Sequence, residues 1–400
     1  MNFQQEIVTK PIRVFMVNPL VHSSQLILLK ILSGDIFGHN HLIDLKLLVY
    51  SNEISTAESL KLELERCAFS NMNVIEITSD LPRVRDADIF CFMSNLANPN
   101  KFDPENIENE AHFDTLYLLI KVANHLSWQE EDELEDLKNG IKTKPIFLTD
   151  GLLALDILAS LSKNMPGDVF FATTPLVGIA KSTLGDYLNV QCKDINDVLV
   201  WAANDEIFHL EVEKPLIIGE KADKRAHCDY DTISKELLES LKMDYTQFNS
   251  TWMRKDFLEK VASSAARNPY GCIYKAAEFA KTLKQIWKAR SGGSGTKVYS
   301  NMGVISDGSI GTMKGYPYVL PLVFSGNTWE VNKSFEESTY LKQEIKRINK
   351  AVKKQREKFI SYCKKFLQDN VINLAFILTD NESTIGDSCS SRSLLREQST

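Results

Sequence analysis

From residue 12 the chain alternates short apolar runs with longer stretches of helical periodicity, and this alternation constrains the fold more than any other feature. IRVFMV (12–17) leads into an apolar helical pattern over about 23–33, followed by LIDLKLLVY (42–50), a helical stretch at 55–68, and IFCFM after Asp88. PIFLT (145–149) and DVLVWA (197–202) extend the series. Strands this apolar are buried on both faces, and strands connected through helices run parallel with right-handed crossovers. The expectation is an α/β fold built on a doubly wound parallel sheet.

The second half reads differently. Helices over 251–267 and 271–290 precede a Gly/Ser loop at 291–295 and short strands near 298–306 and 319–324, the pattern of a mixed α+β lobe. A charged helical stretch at 336–368 carries Leu341, Ile345, Ile348 and Val352 at helical spacing, enough to cover one flank of that lobe. Its Lys/Arg-rich remainder, 342–366, reads as a solvated face, with an acidic partner surface as the alternative. The expected division is 11–173, 174–368 and a polar, Ser-rich tail at 380–400 that is expected to be disordered.

Composition narrows the function classes. A net charge of −7 argues against nucleic acid as the main partner. Seven widely spaced Cys, from Cys67 to Cys389, suit reduced thiols better than a disulfide framework or a zinc site, and no metal site is expected. No apolar run approaches the roughly 20 residues of a membrane span, so no membrane partner is expected. MNFQQEIVTKP has neither a hydrophobic signal core nor an Arg-rich character, which predicts a cytoplasmic protein.

The first strand–helix junction is where a dinucleotide-binding unit carries its glycine-rich phosphate cradle. Here the turn is Asn18-Pro19-Leu20-Val21-His22-Ser23-Ser24, with no glycine. Pro19 also removes a backbone N–H from it.

PIRV at 11–14, SGDIFG at 33–38, LELERCA at 62–68, DVLVWA at 197–202, IW at 286–287 and MGVISDG at 302–308 occur in the order, and at nearly the separations, of cytosolic-type malate dehydrogenases. The chain resembles that family, within the lactate/malate dehydrogenase superfamily, over about residues 11 to 335. It resembles most the family's divergent 1B branch. The resemblance implies a Rossmann-like NAD-binding lobe, a catalytic lobe, and a homodimer whose contact includes the helix at 55–68. There Leu60, Leu64 and Cys67 form a stripe, with Leu62 and Ala68 beside it.

Matched to the family, the working positions hold unexpected residues. Asn18, Val21 and Ser24 stand where the turn has two glycines and a small residue, and the branched Val21 side chain takes space a pyrophosphate needs. Asn18 tolerates left-handed backbone. Val49 stands at the carboxylate position that serves the adenosine ribose, with Glu53 as a weaker substitute. Asn204, in WAAN, occupies the catalytic His position, and an amide relays no proton near neutral pH. Leu176 and Ile179 stand at the partner Asp and an Arg. Asn98 and Pro99 align with the mobile-loop arginines, and Asp150-Gly151 aligns with an Asn-Pro pair. A carboxylate at 150 is expected to repel an anionic diacid.

Other residues offer weak replacements. His209, with Asp205 and Glu206, reads as a surface polar cluster, and His22 as a surface histidine. Cys272 at a helix start reads as a buried apolar group before a reactive thiol. The leading expectation is a malate dehydrogenase-like pseudoenzyme with a structural or interaction role and no bound cofactor, NAD being implied by the resemblance alone. The alternatives are an active NAD-dependent malate dehydrogenase with relocated residues and a nucleotide or metabolite sensor without turnover. The 1B resemblance also implies a partner in the axoneme of a cilium or flagellum.

Overall fold

The structure is a computed structural model and describes residues 10–79, 87–94, 96, 98–100, 110–126, 144–162, 165–212, 238–240, 242, 248, 252–267, 271–292, 295–333 and 338–372. The Ser-rich tail at 380–400 lies outside the described residues.

Six strands pair in parallel in the order β3-β2-β1-β4-β5-β6. They are β1 (Ile12–Val17), β2 (Ile43–Leu48), β3 (Met72–Thr78), β4 (Ile89–Phe92), β5 (Ile146–Thr149) and β6 (Phe170–Ala172). Side chains alternate along each strand, so Val14 and Met16 enter one core and Phe15 and Val17 the other. An aromatic row crosses the second core: Phe15 to Phe90 at 5.8 Å, Phe90 to Phe147 at 4.4 Å, and Phe147 to Phe170 at 5.1 Å. Helices α1 (His22–Leu32) and α2 (Ile54–Arg66) cover the first face. On the second face lie α3 (Glu110–Leu126), α4 (Leu152–Leu161) and α5 (Leu176–Leu188). This is the doubly wound α/β arrangement expected from the sequence.

The sheet continues past β6 into the second half. β6 pairs antiparallel with β9 (Lys297–Ile305), which pairs with β10 (Pro317–Ser325). β7 (Val198–Ala202), β8 (Phe208–Val212) and β11 (Thr328–Val331) complete an 11-stranded sheet. DVLVWA therefore does not extend the parallel series, because β7 runs antiparallel to both β8 and β10. Its uninterrupted apolar character has the same cause as in the parallel strands. Val198, Val200 and Ala202 enter one core and Leu199 and Trp201 the other. Gly303 explains part of MGVISDG: where β9 crosses β6, a Cβ there would lie 2.7 Å from both the Ala172 Cβ and Leu152 Cδ2.

The remaining α-helices among the described residues are α6 (Asp256–Arg267), α7 (Cys272–Ser291) and α8 (Thr339–Leu367). The foreseen stripe Leu341, Ile345, Ile348 and Val352 lies in the first core, while Phe359, Ile360, Cys363 and Phe366 lie in the second. α8 thus spans from one core to the other. Its basic remainder is largely exposed but not wholly solvated, since Arg347 donates to the Phe208 carbonyl at 2.8 Å and Arg356 reaches inward.

The stripe on α2 turns inward. Leu60 and Leu64 are 7% and 3% exposed and join the first core, because the helix packs back on its own sheet. Leu62 is half exposed, and Cys67 and Ala68 lie beyond the helix end on the surface.

Candidate active-site cleft

The carboxyl ends of the parallel strands, where open α/β sheets bind ligands, carry three groups of the positions singled out in the sequence. At the first, Asn18 follows β1 with φ 56°, the left-handed conformation that a small polar side chain tolerates. Its amide donates to the Met93 carbonyl at 2.8 Å, and the Ser24 hydroxyl donates to the Asn18 carbonyl at 2.7 Å. Val21 is the half-buried residue that opens α1. His22, next to it, is exposed, as a surface histidine would be.

At the second, Val49 is buried and its N–H is bound by the Thr78 carbonyl at 3.1 Å. Glu53 closes its own turn, its carboxylate accepting from the Tyr50 N–H at 3.1 Å. The Tyr50 hydroxyl donates to the Asp114 carbonyl in α3 at 2.7 Å, tying the end of β2 to that helix. Tyr50 was not singled out from the sequence, where an aromatic at a strand end carries no special signal.

The third group joins the loops after β4 and β5 to the β7–β8 hairpin. Asn204 is an element of turn structure: its carbonyl oxygen accepts from the backbone N–H of Glu206 at 2.9 Å and of Ile207 at 2.8 Å. Its amide donates to Gln355 of α8 at 3.2 Å, and Gln355 donates to the Asn100 carbonyl at 3.1 Å. Asn98 donates to Asp205 at 3.4 Å and accepts from the Asn100 N–H at 2.9 Å. The Asn100 side-chain oxygen and the Pro99 carbonyl then take the N–H groups of Leu152 and Leu153, at 3.0 and 3.1 Å, at the start of α4. Gly151 permits this approach, since a Cβ there would stand 2.2 Å from the Pro99 carbonyl oxygen. The 98–100 segment, Asn204 and α8 thus form one connected network of amides and backbone groups.

Asp150 departs from expectation. It is 4% exposed rather than facing an open cleft, accepts from the Ser94 hydroxyl at 2.7 Å, and lies 3.7 Å from the Lys275 ammonium of α7. Burial raises its pKa against the opposing pull of Lys275 and Ser94. Its other oxygen and the Asn100 amide nitrogen are buried without a hydrogen-bond partner among the described residues. The polar cluster beside Asn204 is a surface feature only at Glu206, which is exposed. Asp205 and His209 are 7% and 2% exposed, with His209 set against Trp201 and Tyr340 and bonded to Glu211 at 3.0 Å. Strand pairing of β7 with β8 turns His209 inward opposite Trp201.

Leu176 is buried and Ile179 half-buried in the second core. Tyr274 packs beside them and donates to the Pro175 carbonyl, using space left by Gly178. Burial raises its phenol pKa, with Glu278 and Asp205 pushing the same way. Cys272 is exposed, not buried, at the start of α7.

Between α4 and α8, Arg356 stacks on Tyr316 with its guanidinium 4.4 Å from the ring centre, and it donates to the Ser160 hydroxyl at 2.9 Å. Its Nε stands 3.4 Å from Asp156, whose carboxyl burial lifts to about 6. Leu152, Asp156, Ala203, Gln355, Arg356 and Phe359 line a cavity of about 10 Å³, room for a single water. Gln355 and Arg356 were missed although a signal existed. They lie at i+3 and i+4 from Val352 and precede Phe359, so they are polar residues at inward positions of the helix. Among the described residues, no group of three His, Cys, Asp or Glu side chains could hold a metal, and no helix is long and apolar enough to cross a membrane.

No protein-family model matches the chain. It is 24% identical over 343 residues to the malate dehydrogenase of Protochlamydia amoebophila, covering 84% of this chain and 94% of the relative. To the cytoplasmic malate dehydrogenase of Gallus gallus it is 22% identical over 364 residues, covering 88% and 98%. The fold superposes on a crystal structure of malate dehydrogenase from Naegleria fowleri with TM-score 0.66 at 14% identity, covering 89% of this chain and 99% of that one. It matches Trichomonas vaginalis lactate dehydrogenase in complex with NADH and oxamate with TM-score 0.66 at 15% identity, covering 88% and 99%.

Proposed function

We propose that this chain, which belongs to the lactate/malate dehydrogenase superfamily, is a pseudoenzyme of that superfamily, kept as a folded body for a structural or interaction role. Fold passes with ancestry, but function has to be argued at the site. The observation that carries the reading is Asn204. At the position the resemblance gives to the proton-relaying His, its carbonyl oxygen is engaged by two turn amides and its amide by Gln355. A carboxamide held this way neither takes nor gives a proton near neutral pH.

The residues at the strand ends do not fit NAD. The phosphate turn is held by the Asn18 side chain and flanked by Val21, and Tyr50 ties the ribose end to α3. These residues support no hydride-transfer step. An enzyme with relocated residues would need an ionisable group within hydrogen-bond reach of the Asn204 side-chain position, and the bonds that side chain makes are to an amide and to backbone. A sensor would need an open crevice, and beside Asn204 the 98–100 segment and α8 are instead bonded to each other through Gln355. The cytoplasmic relative supports a cytoplasmic setting. A homodimer and an axonemal complex are further parts of the proposal, addressed by light scattering and by localising the tagged chain in ciliated cells.

Calorimetric titration of the purified chain with NADH tests the reading. The expected dissociation constant is weaker than about 1 mM, a loss of more than about 4 kcal/mol from micromolar affinity. Saturable low-micromolar binding, or steady malate oxidation, refutes it.

A further inference from the structure

α8 is charged in a way that its packing does not require. It contains ten Lys or Arg and two Glu, a net +8 in a chain whose total is −7. Lys342, Lys346, Lys350, Lys354 and Lys358 follow one another at four-residue intervals, Lys353 lies beside them, and all six are exposed. Lys364 and Lys365 continue the ridge in the last turn. Like charges at this spacing repel and cost helix stability. The two carboxylates neutralise little of it: Glu344 is held by Arg347 at 2.7 Å, and Glu357 lies 3.8 Å from Lys353. A merely solvated helix face ordinarily mixes both signs.

We propose that the outward ridge of α8 is a docking surface for an extended acidic polypeptide, a run of Glu and Asp on a partner protein. Charge complementarity carries the inference, and the surroundings select among polyanions. No apolar residue stands among the exposed positions of α8, so nothing on the ridge would enter a lipid surface. The ridge is almost wholly Lys, which meets carboxylates as a point charge and lacks the bidentate phosphate geometry of Arg. Beyond α8 the chain is acidic on balance, which repels a rigid duplex or a flat anionic membrane that must approach a broad surface. A flexible peptide contacts the helix alone. From Lys342 to Lys365 the ridge is about 35 Å long at 1.5 Å per residue, matched by roughly eleven residues of extended chain. This deepens the interaction reading above and rests on it only in supposing that the fold serves a partner.

The test uses the full chain and a fluorescein-labelled peptide of alternating Glu and Gly, about twelve residues long, followed by anisotropy. Binding should saturate at low salt and weaken as salt screens it. Lys346→Gln, Lys350→Gln, Lys353→Gln and Lys354→Gln together should weaken it by at least about tenfold. A control changing the exposed Lys255, Lys284, Lys288 and Lys297 to Gln alters net charge equally and should shift binding less than about twofold. Circular dichroism should show both variants folded. Absence of binding at low salt, or equal loss in the control, overturns the proposal. So does tighter binding, through the same lysines, of duplex DNA or phosphatidylserine vesicles. NADH titration of the same preparation keeps the two readings separate: tight NADH binding refutes the pseudoenzyme reading and leaves the ridge result standing.

Discussion

Asp156 should make this protein lose stability as pH rises from about 4 to about 6. Its carboxyl is 4% exposed on α4, and burial lifts it to about 6 although Arg356 and Ser160 both pull it down. The unfolded chain titrates the same group near 3.9. Between those values the native state keeps a proton that the unfolded state has lost, so unfolding free energy falls as pH rises. The contribution is fully present below about pH 4 and gone above about 6, and it amounts to about 3 kcal/mol. Asp156→Asn keeps the shape and removes the titration. Arg356 stays charged throughout, and its pull on the ionised carboxylate is already contained in the value of about 6. Urea unfolding of both proteins from pH 4 to 7.5 should give a stability difference, variant minus wild type, that climbs with pH by about that amount. Asp150 and Glu278, also raised by burial, titrate in both proteins and cancel. A difference that is flat, or that falls with pH, refutes the buried pair as the structure draws it. The position matters for the cleft, because Asp156 shares its cavity with Gln355, the residue that bonds Asn204.

Asn204→His alone should yield no measurable malate oxidation, since one member of a catalytic unit recovers little; it should also cost about 1 kcal/mol by loosening the two turn amides, read as a lowered Tm. Steady NAD reduction with malate would show the site alignment to be wrong. Leu64→Glu should destabilise the chain by about 3 kcal/mol or more in denaturant unfolding, because it places an unpaired charge in the core. A folded, stable monomer would contradict the inward packing of α2. Leu62→Glu, on the exposed side, should leave stability within about 0.5 kcal/mol, and light scattering on it reads whether a second copy uses that face.

The parallel half of the sheet was legible because burial on both faces leaves a simple mark, an unbroken apolar run. The same mark misled at β7, whose antiparallel pairing leaves no trace in a strand buried on both sides. In α2 the 3.6-residue period identified Leu60 and Leu64 as one stripe, but periodicity says only that a stripe is covered and not by what. The site was legible where a backbone property decides, as at Asn18 with its left-handed φ. It was not legible where contacts span the chain. Asp150 reads as a repelling carboxylate until Lys275, more than a hundred residues on, is seen 3.7 Å away. Gln355 and Arg356 could have been flagged as polar residues on an inward stripe, but no spacing rule pairs Gln355 with Asn204, 151 positions earlier.

Several of the positions matched to the family's working residues are bonded within the chain itself. In a binding crevice, donors and acceptors await a ligand, and each left unmade in a dry interior costs about 1–3 kcal/mol. Here the Asn18 amide is taken by Met93, the Glu53 carboxylate by Tyr50, and the first amides of α4 by Pro99 and Asn100. Gln355 bonds both Asn100 and Asn204, so α8 cannot lift without breaking two hydrogen bonds and disturbing the Asp156–Arg356 pair. Separating α8 from the 98–100 segment would therefore oppose the stability of the native state. A chain in which catalytic residues had merely drifted would collect polar residues in its strands at the same rate as in its loops. The aromatic row from Phe15 to Phe170 is continuous instead. On the proposed reading, selection for a stable fold without selection for turnover accounts for both the internally bonded site and the intact core.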